Sequence, residues 1–102
     1  MSTYAVNKVC YRVVHDPAFR RLLLVDPERA LREAVPALSD QERESLLAGD
    51  VGTLSRMGAN DFMLHNLARF EVLGLDLKIF AERIRWAYRQ EREQWRREGW
   101  VP

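Results

Sequence analysis

The two histidines, His15 and His65, are the side chains best suited to bind a metal ion or to transfer a proton near neutral pH. They lie fifty positions apart, and the sequence contains no His-x-His, His-x-x-x-His or Cys-x-x-Cys spacing that would place two ligands on one element. His15 directly precedes the Asp16-Pro17 helix start, which favours a polar helix end over a ligand. His65 lies in an apolar segment of helical spacing, and a functional role for it stays open. The sequence therefore predicts no metal site and no catalytic residue in this chain.

The other reactive groups also indicate a chain without a catalytic centre or a cofactor of its own. Cys10 is the single cysteine, which excludes an intramolecular disulfide, and no lysine adjoins it, so it is interpreted as a core residue. The carboxylate pairs Glu42/Glu44 and Glu91/Glu93 are two residues apart, a spacing at which side chains diverge on a helix. The five glycines are scattered along the chain and form no phosphate-binding loop.

The three tryptophans, Trp86, Trp95 and Trp100, all lie in the last seventeen residues. Arginines are interleaved with them, at Arg85, Arg89, Arg92, Arg96 and Arg97. Because tryptophan and arginine are enriched at protein–protein hot spots, one interpretation makes this segment an interaction tail. In the other, which is equally favoured, the tryptophans pack on their own core or on a second copy of the chain. Nucleic acid is disfavoured as a partner, since glutamates lie among the arginines and the net charge is only +1.

Length and composition indicate one folded domain in the cytoplasm. The 102 residues match the size of a single domain, and 47% hydrophobic with 30% charged residues is the composition of a globular protein. No apolar run approaches the roughly 18–20 residues that span a bilayer, and the N-terminus carries no export signal. A single cysteine suits a reducing compartment. These features predict a cytoplasmic protein that does not enter a membrane.

Helix starts and stops divide the chain into about seven helices. Asp-Pro pairs at 16–17 and 26–27 each place a capping side chain before a proline, and Ser39 forms a capping box with Glu42. The predicted helices cover about 4–14, short segments from 17 and from 27, then 40–49, 51–57, 61–74 and 77–98. Their packing is predicted to bury Leu22, Leu23, Leu31, Leu46, Leu47, Leu54, Leu64, Leu67 and Phe80. The fold class is all-α: a compact orthogonal array of six or seven short helices with a long C-terminal helix.

The long last helix suggests a division of the chain after residue 88. A helix over 77–98 would measure roughly 33 Å, whereas a domain of this size has a radius of gyration of only about 13 Å. Its apolar positions keep helical spacing in the first half, while residues 89–94 are polar all round. We therefore predict a helical domain over 1–88 and a charged, tryptophan-containing helical extension over 89–102.

The middle of the chain carries the most specific motifs. Residues 38–58 read LSDQERESLLAGDVGTLSRMG, and they are followed by Phe-Met-Leu at 62–64 and by Leu-Gly-Leu-Asp-Leu at 73–77. These segments resemble the small alpha subunit of protocatechuate 4,5-dioxygenase, which represents a class of two-subunit extradiol ring-cleavage dioxygenases. The resemblance covers roughly residues 16–86.

This resemblance implies a subunit without a catalytic centre that acts on a larger partner. Such a subunit is all-helical and packs over a larger chain that holds a non-haem iron(II), closing the site where a catecholic or aminophenolic ring is cleaved. The iron ligands and the cofactor would then lie in the partner chain. By their position in the matching motif, the residues expected to face the partner's pocket are Asn60, Phe62, His65 and Arg69. They would shape the substrate site and exclude water.

Two other functions stay open, because the charged tail from residue 85 onward lies outside the resemblance. Similar small helical domains resemble the recognition domains of ribosomal peptide precursors of the borosin type, which a backbone N-methyltransferase binds and modifies. Only residues 99–102 would then suit a modified segment, because the preceding residues are charged and predicted helical. Alternatively, the chain is a stand-alone helical interaction protein or a homodimer that pairs through Trp86 and Trp95.

Overall fold

Helices joined by turns account for the regular structure of the chain. The computed structural model describes residues 3–99, and that range contains seven helices and no strand. The helices are α1 (Tyr4–His15), α2 (Pro17–Val25), α3 (Pro27–Arg32), α4 (Asp40–Leu47), α5 (Val51–Arg56), α6 (Asp61–Arg69) and α7 (Leu77–Arg97). The predicted all-α array with a long C-terminal helix is therefore confirmed.

Side-chain caps start the helices where the sequence predicts them. The Asp16 carboxylate accepts a hydrogen bond from the backbone N–H of Phe19 at 3.1 Å, and Pro17 is the first residue of α2. The remaining caps are Asp26 of α3, Ser39 of α4, Asp50 of α5, Asn60 of α6 and Asp76 of α7. Each of them satisfies a backbone N–H that the first turn of a helix leaves without an intrahelical partner.

The end of α6 differs from the sequence prediction, because the helix stops at Arg69 and not at the glycine five residues later. Glu71 adopts a φ of 54°, in the left-handed region that favours glycine. The N–H of Val72 donates to the carbonyl of Leu67 at 3.0 Å, and the N–H of Glu71 to that of Ala68 at 3.1 Å. These bonds close α6 as a Schellman turn in which a glutamate takes the position that is usually glycine. Because no glycine marks this position, the sequence prediction placed the end of α6 too late.

The buried core agrees with the leucine pattern of the sequence. The predicted core residues that are buried are Leu23, Leu31, Leu46, Leu54, Leu64, Leu67 and Phe80. Leu22 and Leu47 are only half-buried and pack against the edge of the core. Cys10 is fully buried, which confirms its interpretation as a core residue. Among the described residues, no helix combines the length and the apolar character that a membrane span requires.

The packing of α5 on α7 is the most extensive contact between two helices. It depends on Gly52, where an added Cβ would lie only 2.7 Å from the carbonyl oxygen of Arg83 and 3.1 Å from Cε3 of Trp86. The Arg83 guanidinium donates to the carbonyls of Ala48 at 3.1 Å and Gly49 at 2.6 Å, and so satisfies the C-terminal end of α4. The first half of α7 is thereby anchored to α4 and α5.

The second half of α7 extends along the surface and past the other helices. The described part of the chain measures 48 Å along its longest axis, and residues 92–99 are all exposed. One hydrogen bond of 3.4 Å, from the Arg56 guanidinium to the Gln94 amide oxygen, joins this half to α5. The domain boundary proposed at residue 88 lies inside the continuous helix α7 and stays a prediction.

Candidate functional site

Three of the four predicted partner-facing residues share one face of α6. Phe62, His65 and Arg69 are spaced by three and four residues, so they fall within an arc of about 60° on the helix. The opposite face carries buried residues such as Leu64 and Leu67, which fix the orientation of α6 on the core. We call Phe62, His65 and Arg69 the α6 stripe. Phe62 is the most exposed member, since 79% of it is accessible to solvent.

His65 is half-buried because its ring packs against α7. The imidazole meets the Phe80 ring edge-on, with 5.3 Å between the ring centroids and an angle of 78° between the planes. Phe80 is buried, so this contact ties the orientation of His65 to the core. An imidazole held in this way can offer a hydrogen-bond donor and an acceptor at the surface of the stripe.

Asn60 lies apart from the α6 stripe and has a structural role. Its side chain caps α6 by accepting a hydrogen bond from the N–H of Met63 at 3.1 Å. Its own N–H donates to Oδ1 of Asn7 at 3.2 Å, which joins the start of α6 to α1. Arg69, at the other end of α6, donates to Oδ1 of Asn66 at 3.4 Å and is otherwise exposed. The structure therefore brings three of the four residues together and leaves Asn60 aside.

Asp61 joins three helices beside the α6 stripe, whereas sequence reasoning predicted for it only a possible role as a helix cap. Its carboxylate accepts hydrogen bonds from the Ser55 hydroxyl of α5 at 2.5 Å and from the Tyr88 hydroxyl of α7 at 2.6 Å. The hydrogen bond to the carboxylate, together with its negative charge, raises the pKa of Tyr88 above the ordinary value. No local spacing connects Asp61 with a tyrosine 27 positions later, so only the fold reveals the contact.

The tryptophans of the predicted interaction tail lie in different surroundings. Trp86 is half-exposed, and its ring edge faces Gly52 of α5. Trp95 is also half-exposed and lies on the second half of α7, in a shallow groove that also contains Tyr88. Trp100 lies outside the described residues. The two tryptophans are thus similarly exposed, but Trp86 packs partly against α5, whereas Trp95 lies in the groove on the second half of α7.

The remaining reactive groups are placed as follows. Cys10 is enclosed by the core, and burial raises the pKa of its thiol to about 12. The ring of His15 lies against that of Tyr11, with 4.2 Å between the centroids and an angle of 34° between the planes. Within residues 3–99, no three His, Cys, Asp or Glu side chains are grouped so that they could hold a metal ion.

Comparison with known proteins gives a match to one family. The model of the family described as "Aromatic-ring-opening dioxygenase LigAB, LigA subunit" matches residues 6–94. The match extends on both sides of the segment 16–86 that carries the sequence resemblance, and it includes most of α1 and most of α7. No curated protein and no solved structure is significantly similar to the chain.

Proposed function

Since this chain belongs to the LigA family, that of the LigA subunit of the aromatic-ring-opening dioxygenase LigAB, we propose that it is a non-catalytic subunit of such an enzyme. In this proposal it packs on a larger subunit and caps the site where an iron(II) extradiol dioxygenase cleaves a catecholic or aminophenolic ring. The family match over residues 6–94 carries the proposal, because it includes the motifs from which the function was predicted.

The iron belongs to the larger subunit in this proposal. The described residues of this chain do not offer the donor set of an iron site, since no group of three potential ligands is present among them. The part assigned to this chain is to shape the substrate pocket and to keep water out of it.

The α6 stripe is the surface that we assign to this capping role. Phe62 exposes an aromatic ring at 79%, and burying such a ring against a partner would gain about 1.5–3 kcal/mol. Next to it, His65 can form a hydrogen bond with a polar ring substituent, and the Arg69 guanidinium can pair with a carboxylate. A stripe with one apolar, one polar and one guanidinium side chain suits a small aromatic acid at the edge of the interface.

The first test is affinity capture from the source cells with the full chain as bait, followed by intact mass spectrometry of bait and captured protein. We expect a stoichiometric iron-binding chain, an unchanged bait mass, and cleavage of a catecholic ring by the reconstituted pair. Added methyl groups on residues 99–102, with capture of a methyltransferase, would instead identify a peptide precursor. A bait that forms only a homodimer would support the stand-alone interaction protein.

A variant pair tests the α6 stripe within the reconstituted enzyme. Phe62→Ala removes the exposed ring and is expected to lower ring cleavage by about tenfold to a hundredfold, the equivalent of one lost aromatic contact. Leu24→Ala is the matched control, because it removes an exposed apolar side chain from α2. Equal activity of the two variants would remove the capping role from the α6 stripe while leaving the subunit assignment intact.

A further inference from the structure

The second half of α7 presents a row of arginines on the side that faces away from the core. The row consists of Arg85, Arg89, Arg92 and Arg96. Their spacing of four, three and four residues places them within an arc of about 60° on the helix. The buried residues of α7, Phe80 and Ala87, lie on the opposite side. The row is therefore directed to solvent over three consecutive turns.

Most of these arginines have no acidic partner in the described part of the chain. Arg96 pairs with Glu93 at 3.2 Å, and Arg85 donates to the backbone carbonyl of Ala81 at 3.3 Å. For Arg89 and Arg92, residues 3–99 provide neither an ion pair nor a hydrogen bond. The guanidinium groups of Arg89 and Arg92 can therefore pair with carboxylates of another molecule without first breaking an ion pair within residues 3–99.

Two aromatic side chains border the arginine row. Tyr88 is 53% and Trp95 is 46% exposed, and both line a shallow groove of about 400 Å³ together with Arg85, Arg89 and Arg92. The Tyr88 hydroxyl is held by Asp61, so its ring has a fixed position beside the row. We call the arginine row with Tyr88 and Trp95 the arginine–aromatic face. Fixed aromatic rings flanked by arginines are the typical composition of binding hot spots.

We propose that the arginine–aromatic face binds an acidic helical segment of a protein partner. A helix with carboxylates at the same spacing of four, three and four residues would place one opposite each arginine. An apolar side chain between the carboxylates would pack against Tyr88 and Trp95. The inference rests on the proposed function in one respect, because the larger subunit is the protein expected to carry this segment.

The charges on the face argue against the two other occupants. A second copy of the chain, docked through the same face, would bring arginine row against arginine row. A nucleic acid would meet Glu91, which lines the same groove, and a chain with a net charge of only +1. An acidic helix carries its carboxylates at discrete positions, so it can place them opposite the arginines and an apolar or basic side chain opposite Glu91, which a continuous phosphate backbone cannot do.

The test uses the full chain and a defined probe. The probe is a fluorescein-labelled helical peptide of about twenty residues with glutamates spaced by four, three and four positions and leucines between them. Binding is followed by anisotropy at 150 mM salt, where the Debye length of about 8 Å limits long-range charge effects. A peptide with lysine in place of glutamate and a single-stranded oligouridine serve as competing probes.

Charge reversal of the row is compared with the same charge change elsewhere. The triple variant Arg85→Glu/Arg89→Glu/Arg92→Glu is expected to bind the acidic peptide at least about tenfold more weakly than the unmodified chain. The control Arg21→Glu/Arg32→Glu/Lys78→Glu changes three exposed cations outside the face and is expected to alter binding less than about twofold. The double variant Arg89→Gln/Arg92→Gln provides a milder test, and circular dichroism verifies that each variant is folded.

Each other outcome overturns the inference. The inference is overturned if the unmodified chain does not bind the acidic peptide, or if the control variant loses as much binding as the triple variant. It is also overturned if oligouridine binds more tightly than the acidic peptide, or if the chain forms a homodimer that the triple variant abolishes. Association with the captured larger subunit then separates this inference from the proposed function. If the triple variant associates as well as the unmodified chain, only the arginine–aromatic face is refuted; if neither associates with an iron-binding subunit, the proposed function fails.

Discussion

Replacement of Gly52 by alanine tests the close approach of α5 and α7, because two opposing effects can be weighed from the structure. Alanine favours a helix over glycine by about 1 kcal/mol, so an uncrowded site would become more stable. The added Cβ, however, would lie 2.7 Å from the carbonyl oxygen of Arg83, 3.1 Å from the Trp86 ring and 3.5 Å from the Cβ of Ala87. A backbone oxygen cannot rotate away as a side chain can, so the two helices must separate.

Overpacking of this kind costs about 1–3 kcal/mol, and the backbone contact favours the upper part of that range. After subtraction of the gain in helix propensity, Gly52→Ala is expected to lower the free energy of unfolding by about 1–2 kcal/mol. Urea unfolding, followed by circular dichroism and by tryptophan fluorescence, measures this quantity. The emission of the native state is also expected to change, because the Trp86 ring edge faces the substituted position.

The control is Gly58→Ala, where an added Cβ meets nothing within 4 Å but the backbone has a φ of 108°. This variant should lose stability through backbone strain alone and leave the environment of Trp86 unchanged. If Gly52→Ala proves more stable than the unmodified chain, the gain in helix propensity outweighs the cost of the steric contact. The approach of α5 to α7 would then be looser than the structure has it, and the argument would be refuted.

Three further predictions concern the core, the buried thiol and an acidic cap. Leu64→Ala is expected to lose about 2–5 kcal/mol of stability in urea unfolding. His65→Ala, in contrast, should stay folded and lower only the activity of a reconstituted complex. If His65→Ala unfolds the chain, the assignment of His65 to the pocket is wrong. Burial raises the pKa of Cys10 to about 12. A thiol reagent at pH 8 should therefore modify the native chain at least about a hundredfold more slowly than the urea-unfolded chain. Equal rates for the two states would contradict the burial of Cys10. The N–H of Phe19 and the guanidinium of Arg12 hold the pKa of Asp16 below its ordinary value. The ionised carboxylate therefore stabilises the fold at pH values above its ordinary pKa, and this contribution is lost as the pH falls through the lowered pKa of the folded state. Asp16→Asn should show a smaller drop in stability between pH 7 and pH 3 than the unmodified chain, and an unchanged drop would contradict the assignment.

Local signals in the sequence predicted most of the fold. The caps at Asp16 and Ser39 act on N–H groups three residues away, so their pattern is visible in any short segment. The predicted end of α6 was wrong because Glu71 adopts a left-handed conformation, which is not expected for a glutamate. Residue-type preferences predict what is common, and a glutamate in this conformation is uncommon.

The candidate site was less accessible to sequence reasoning, since its geometry depends on contacts between distant positions. Helical spacing was enough to place Phe62, His65 and Arg69 on one face of α6. It could not indicate that the ring of His65 rests on Phe80, which is fifteen positions away on α7. Such contacts depend on how the helices cross, which is set by the packing of the whole core.

The contact between Asp61 and Tyr88 also fixes the relation between the two proposed surfaces. Asp61 begins α6 directly before Phe62, while Tyr88 belongs to the arginine–aromatic face of α7. The Tyr88 phenol is protonated at neutral pH in any case and donates to this carboxylate, and the same contact raises its pKa. A single partner that covers both faces would therefore meet an arrangement already set in the free chain, which lowers the conformational cost of binding. The Ser55 hydrogen bond to the same carboxylate holds it in place for both contacts.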